Sequence, residues 1–181
     1  MEIIETALPG VLVVIPAVFR DDRGTFSELW NLKGYEEAGL QAQWVQDNCS
    51  TSIRNVVRGI HYQVIRPQAK LVRVSHGRVL DVAVDLRRRS PYFGRHVAVE
   101  LSAENGKMLY IPVGFGHAFA ALTDDVGIAY KVGDYYSREG ERTVLWNDPD
   151  LAIPWPISAQ DAIISDKDAN ASRLRDAEVL P

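Results

Sequence analysis

The sequence predicts an all-β protein, an antiparallel sandwich or barrel closed as a jelly roll, with short helices at its periphery. Three observations carry that expectation. Period-2 alternation dominates the chain, short strand candidates recur at regular spacing with turn signals between them, and only Lys33 to Ala38 reads convincingly as a helix. The chain's 181 residues fit one domain, and a 46% hydrophobic content is enough for a substantial core.

In chain order, the first strand candidates are Val11 to Val18, Gln43 to Asn48 and Gly59 to Val64. Lys70 to Leu86 follows as KLVRVSHGRVLDVAVDL, two β-branched runs around a turn at Ser75 to Arg78, which is a hairpin pattern. In its second run Leu80, Val82, Val84 and Leu86 share one face, and Val79, Asp81, Ala83 and Asp85 share the other. One face is expected to pack a core while the other carries carboxylates. Arg95 to Leu101 and Met108 to Ile111 flank Asn105-Gly106, a strong turn signal. His117 to Leu122 and Val126 to Val132 complete the set. Beyond Tyr136 the chain is loop-like and rich in Asp, Pro and Trp, with a second short helix possible near the C-terminus. A single domain is expected to span 1–181, with a loop-rich segment from about 136 onward.

Twenty Lys and Arg against 24 Asp and Glu give a formal net charge of −4. That balance supplies no general attraction to nucleic acid or an anionic membrane. No apolar stretch approaches the roughly 20 residues that span a bilayer. The lone Cys49 cannot close an internal disulfide, and no basic segment followed by an apolar run opens the chain, so a soluble cytoplasmic protein is the expectation.

Of four histidines, His76 falls in the proposed turn and His96 at a strand start, and both read as surface residues. His61 and His117 lie in strands among apolar and aromatic neighbours, where an imidazole needs a partner or a task. Three readings stay open. Each can be a hydrogen-bonded structural histidine. A metal site is the second: Pro112 to His117 has the Pro-x-Gly-x-x-His form of metal-dependent cupins, but His61 is followed by Tyr62 and Gln63 rather than by the second histidine those proteins use. The third is metal-free proton transfer beside a ketone, which needs a base near neutral pKa, a cation at the oxygen that becomes an enolate, and an acid. Histidine, lysine and tyrosine suit those roles. Lys70 can equally be a strand-edge lysine and Tyr130 a core aromatic.

The motifs DDRGTFSELW, VQDNCSTS, VVRGIHYQ, PQAKLVRVSHGRVLDVAVDLRRRSPYFG, LYIPVGFGHAFAAL, YKVGDYY, LWNDPDLAIPWP and ISDKDA occur in one order across nearly the whole chain. Together they closely resemble the dTDP-4-dehydrorhamnose 3,5-epimerases, nucleotide-sugar epimerases of cupin fold. The resemblance implies His61 as general base, Asp168 as its paired carboxylate, Lys70 as enolate stabiliser and Tyr130 as proton donor. It implies substrate-binding roles for Arg23, Phe26, Glu28, Gln46, Asn48, Arg58, Lys70, His117, Glu141 and Lys167, and a homodimer in which the N-terminal segment, about 1–30, completes the partner's site. The implied substrate is a dTDP-linked 4-keto-6-deoxy sugar, with neither cofactor nor metal. A sister enzyme inverting only C3 or only C5 shares the same catalytic pair. Arg87, Arg88 and Arg89 match no substrate motif and read as a solvated turn.

Overall fold

The computed structural model describes residues 1–40 and 43–181. Its strands are β1 (Glu2–Glu5), β2 (Leu12–Ile15), β3 (Val18–Asp21), β4 (Gly24–Ser27), β5 (Gln46–Ser52), β6 (Val57–Gln63), β7 (Lys70–His76), β8 (Arg78–Asp85), β9 (His96–Ser102), β10 (Met108–Ile111), β11 (Phe115–Ala121), β12 (Val126–Val132) and β13 (Glu141–Thr143). Helices α1 (Leu32–Glu37) and α2 (Asp166–Ala169) are short, as is the 3₁₀ turn Leu174–Asp176. The strands form a six-stranded sheet ordered β1-β2-β10-β7-β12-β5, a five-stranded sheet ordered β13-β6-β11-β8-β9, and the separate ribbon β3-β4.

The alternation in the sequence explains the layering. Between the sheets, Val72 and Val74 of β7 meet Val79 and Ala83 of β8, with Phe115, Phe119 and Ile128. The opposite face of the five-stranded sheet, bearing Ile60, Tyr62, Val82 and Val84, lies under Val144, Leu151 and Leu174 of the C-terminal segment. On the outer face of the six-stranded sheet, Val14, Leu71 and Met108 pack with Tyr35 of α1 and with Leu40. Both sheets are thus covered on two sides. The sequence put a core on one face of β8 and carboxylates on the other, and both faces prove to be covered. Asp81 and Asp85 point into the sandwich and are fully buried, each with its own partner.

The expected Lys70–Leu86 hairpin does not form. β7 pairs with β10 and β12, whereas β8 pairs with β9 and β11, so the chain crosses between sheets at Gly77. Gly77 has φ +74, and a Cβ there would lie 2.2 Å from the Asp125 carbonyl oxygen. The glycine does mark a turn, but a tight turn can redirect a chain between sheets as well as within one.

The strand expected from Val11 to Val18 breaks at Pro16 and Ala17, with β2 joining the large sheet and β3 leaving it. β5 runs on through the polar residues to Ser52 because its alternate side chains Gln46, Asn48 and Ser50 face an interior cavity rather than an apolar core. Arg88 and Arg89 are exposed as expected. Arg87 instead binds buried Asp85 at 2.6 Å and lies 4.6 Å over the Phe115 ring.

One irregularity decides what the cavity contains. In β6, Arg58 and His61 are an odd number of residues apart, and simple alternation would send them to opposite faces. Against β11, however, Arg58 pairs with Phe119 and His61 with His117, so β6 carries an extra residue there. The bulge turns both side chains inward. It is built on Gly59, whose φ is +118 and where a Cβ would lie 2.5 Å from Ala118 Cβ and 2.6 Å from the His117 carbonyl oxygen. Only glycine fits. Gly59→Ala is therefore expected to cost at least about 2 kcal/mol of stability. A denaturant melt checks this, and an unchanged midpoint would mean that the bulge relaxes freely.

Candidate active site

The two sheets enclose a cavity of about 430 Å³ lined by side chains from both walls. From the five-stranded sheet come Arg58 and His61 of β6, His117 and Phe119 of β11, and Glu141 of β13. Lys70 of β7, Tyr130 of β12 and Gln46, Asn48 and Ser50 of β5 face them from the six-stranded sheet. Registers fix this arrangement: His61 lies opposite His117, Lys70 opposite Val132, and Tyr130 opposite Val72 on one side and Asn48 on the other.

His61 Nε2 is 2.7 Å from Asp168 Oδ1, and the Gly59 backbone N–H donates to Asp168 Oδ2 at 3.1 Å. Asp168 is buried although it lies far along the loop-rich C-terminal segment. Several local devices hold that segment in place. Val56 bridges to Ile163 and Val144 to Ser172, the Trp155 indole donates to the Trp146 carbonyl, and buried Asp148 accepts from the Leu174 N–H. Ser165 caps α2 by accepting from the Asp168 N–H. Burial would push the Asp168 carboxyl up, but the hydrogen bond and charge of His61, the Gly59 N–H and Lys167 together hold it below the usual carboxylate range.

Lys70 is buried and donates from Nζ to the His61 carbonyl at 3.3 Å. Burial pushes its ammonium down to about 8, against the pull of Asp81 and Glu141. Burial raises the Tyr130 phenol, partly opposed by Arg58, so it stays neutral and able to donate. Its ring lies 6.4 Å from that of His117. Glu141 binds Lys167 at 2.6 Å and accepts from Tyr136 at 3.1 Å. Burial would raise its carboxyl, but those contacts hold it low.

Each cavity histidine has a carboxylate at Nε2, Asp168 for His61 and Asp81 for His117. Among the described residues no three His, Cys, Asp or Glu side chains are grouped as a metal would require.

The residues expected at the site divide into two sets. His61, Lys70, Tyr130, Gln46, Asn48, Arg58, His117 and Glu141 line the cavity, with Asp168 and Lys167 directly behind His61 and Glu141. Arg23, Phe26 and Glu28 do not. Arg23 is bound to Asp21 at 2.6 Å, Phe26 packs on Phe19 in the exposed ribbon, and Glu28 contacts Asn31. Sequence reasoning missed Asp81, Gln63, Gln68 and Tyr136. Alternation put Asp81 on the carboxylate face of β8, opposite the expected core face, and nothing marked its partner as His117. Gln63 accepts from the Ser137 N–H and Gln68 donates to the Asp134 carbonyl, holding the loop that brings Tyr136 to the cavity. Loop contacts of that kind leave no periodic trace.

The cavity thus carries an imidazole paired with a carboxylate on one wall and, on the other, a neutral phenol with a buried lysine on the neighbouring strand. The class is a cupin-like jelly-roll epimerase, an isomerase. Comparison with known proteins narrows this. A family model described as dTDP-4-dehydrorhamnose 3,5-epimerase matches residues 5–176, and the chain belongs to that family. It is 47% identical to the dTDP-4-dehydrorhamnose 3,5-epimerase of Pseudomonas aeruginosa over 100% of both chains. To the enzyme of the same name from Shigella flexneri it is 48% identical over 98% of both. The crystal structure of dTDP-6-deoxy-D-glucose-3,5-epimerase from Legionella pneumophila in complex with dTDP-4-keto-L-rhamnose superposes with a TM-score of 0.94 at 44% identity, covering 98% of this chain and 94% of that one. No helix among the described residues is long and apolar enough to cross a membrane.

Lys70 sets up a stability prediction. A lysine with a folded value near 8 and an ordinary one near 10.5 binds its proton less tightly when folded. Its burial therefore costs stability below pH 8, and that cost fades as pH rises from 8 to 10.5. Lys70→Met is expected to be more stable than the parent at pH 7, by up to about 3 kcal/mol. The gap should narrow by pH 9.5. Denaturant melts at the two pH values check this, and a variant less stable at pH 7 contradicts it.

Proposed function

We propose that this protein epimerises C3 and C5 of dTDP-4-dehydro-6-deoxy-D-glucose, giving dTDP-4-dehydro-L-rhamnose. The observation that carries the reading is the placement of His61 and Tyr130 on facing sheets of one cavity, with Lys70 on the strand beside Tyr130. The ketone at C4 acidifies the hydrogens on C3 and C5. His61 takes one of these protons at Nδ1, because its Nε2–H is donated to Asp168, which orients the ring and stabilises the imidazolium. The C–H electron pair becomes the C=C bond of an enolate, and the carbonyl π pair moves to O4, where the Lys70 ammonium meets the charge. Tyr130 then donates its phenolic proton to the carbon from the opposite face. Afterwards His61 releases a proton and the tyrosinate regains one, so no net proton or electron is exchanged. The same cycle at the second carbon completes the reaction. The substrate's own carbonyl is the electron sink, so the steps call for no cofactor.

Arg58 contributes a guanidinium that suits the diphosphate, anchored by donating to Ser52 Oγ at 3.2 Å and the Thr51 carbonyl at 3.1 Å. Gln46, Asn48, His117, Glu141 and Lys167 are assigned to substrate binding. Arg23, Phe26 and Glu28 are assigned to the cavity of a partner subunit in a homodimer. The exposure of the β3-β4 ribbon supports this, since Phe19 and Phe26 are 63% and 68% exposed on an arm that lies outside the cavity holding His61. We place the protein in the cytoplasm, in keeping with its one cysteine, which is free and exposed.

Turnover in deuterated water, followed by nuclear magnetic resonance of the product, tests the function. Deuterium at both C3 and C5 is expected, and a single labelled carbon would assign the protein to the enzymes that invert one centre. His61→Ala is expected to lower exchange at both carbons by at least about 10²-fold. Tyr130→Phe should reduce net inversion more than exchange, because proton removal remains intact. Equal losses would show that the phenol does more than deliver the final proton.

A further inference from the structure

The two walls of the cavity are joined at one end by two neighbouring crossovers. Residues 64–69 carry the chain from β6 to β7, and residues 133–140 carry it back from β12 to β13, with β6 paired to β13 and β7 to β12. His61 lies three residues before the first crossover and Lys70 directly after it, while Tyr130 lies three residues before the second and Glu141 directly after it. Whatever fixes these crossovers against each other fixes one wall against the other.

Two backbone bonds lace their ends, from the Val64 N–H to the Gly140 carbonyl at 2.8 Å and from the Gly133 N–H to the Ala69 carbonyl at 3.0 Å. A Cβ on Gly140 would lie 2.6 Å from the Ile65 carbonyl oxygen, so the two segments touch backbone to backbone. Between those ends, the hydrogen bonds that cross from one segment to the other come, among the described residues, from two glutamine side chains. Gln63, the last residue of β6, is buried and donates from Nε2 to the carbonyls of Arg66 at 2.6 Å and Tyr135 at 3.3 Å, while its Oε1 accepts from the Ser137 N–H at 2.8 Å. Gln68 donates to the Asp134 carbonyl at 2.7 Å. Two carbonyls and one N–H fix which way the Gln63 amide faces, and they use both of its donors and its acceptor. A side chain of the same size without the amide would free all three. The Arg66–Asp134 pair, at 3.7 Å and open to solvent, adds little.

We propose that Gln63, assisted by Gln68, is a positioning residue: its amide sets the distance of the Tyr130 wall from the His61 wall, and so decides how often a deprotonated sugar carbon is reprotonated on the far face rather than the near one. The proposal rests on His61 and Tyr130 as base and acid. The enolate has two fates. Tyr130 delivers a proton from the far face, and the centre inverts. Alternatively His61 exchanges the proton it took for one from solvent and returns that to the near face, and the centre is restored. In both the carbon loses one proton and gains one. The choice depends on how close the phenol stands to the carbon. Lys70 depends less on the amides, because its Nζ donates to the His61 carbonyl at 3.3 Å and so has its own tie to the base wall. Proton removal, which uses His61 and Lys70, therefore outlasts delivery by Tyr130 when the amides are lost.

The test is Gln63→Met in deuterated water, with a melt to establish folding. Two initial rates are compared on the dTDP-linked 4-keto sugar, formation of inverted product and appearance of deuterium in recovered substrate. Net inversion should fall about tenfold, within the 10²-fold that a misplacement of about 1 Å costs. Exchange should fall less, so the ratio of exchange to inversion rises severalfold. A smaller folded fraction alone would lower both rates together and leave the ratio unchanged. Arg66→Ala removes the exposed ion pair but neither amide, and it should keep the parental ratio. A parental ratio in folded Gln63→Met, or an equal rise in Arg66→Ala, overturns the proposal. If Gln63→Met does not fold, Gln68→Met decides: a raised ratio supports the proposal and a parental one overturns it. A parent that neither inverts nor exchanges refutes the epimerase reading and the proposal with it, whereas an active parent matched by Gln63→Met refutes the role of Gln63 alone.

Discussion

The hydrogen bond between His61 and Asp168 ties together residues 107 apart in sequence, and much of the architecture serves to make it. Asp168 lies on a four-residue helix within a segment of little regular structure. An isolated helix of that length is not stable in water. It is held because the apolar outer face of the five-stranded sheet needs a cover, which Val144, Leu151 and Leu174 provide. Burial of that face thus delivers a carboxylate to the back of an imidazole. The proposed catalytic pair is a by-product of covering the sheet, and a lesion in the covering segment should loosen it without touching the cavity.

The second constraint is the Gly59 bulge. It orients Arg58 and His61 to the same side and offers its own N–H to Asp168. One residue with no side chain therefore sets the direction of the imidazole, the guanidinium and the carboxylate. The opposite wall needs no such irregularity, because Lys70 and Tyr130 lie on adjacent strands and reach the inner face by ordinary alternation. The cavity pairs a specialised wall with a regular one. Lys70 stands on the regular wall at a cost to stability below pH 8, a strain borne by the rest of the fold.

Much of this was legible in the sequence. Alternation located most strands within a few residues, because each sheet buries at least one face. The residues of RGIHYQ, PQAKLV, YKVGDYY and SDKDA marked the cavity through their resemblance to a known family. Geometry that breaks the period was not legible. The bulge at Gly59, the passage of Gly77 from one sheet to the other, and the separation of β3 from β2 at Pro16 each depend on what lies across the gap, which one chain's periodicity does not encode. Asp81 escaped for a related reason. The pattern set it on the face opposite Leu80 and Val82, and its partner His117 lies 36 residues on, in a strand whose register is fixed only by the folded sheet.

The most direct test of the His61–Asp168 pairing is the rate of solvent-deuterium exchange into the nucleotide-linked 4-keto sugar by Asp168→Asn, measured beside its thermal melt. If the carboxylate contributes by orienting and charging against His61, exchange falls by about 10²-fold or more in a protein that still melts cooperatively. Exchange at the parental rate in that folded variant would show that the imidazole works without its distant acid, and that the C-terminal segment covers the sheet without serving the chemistry.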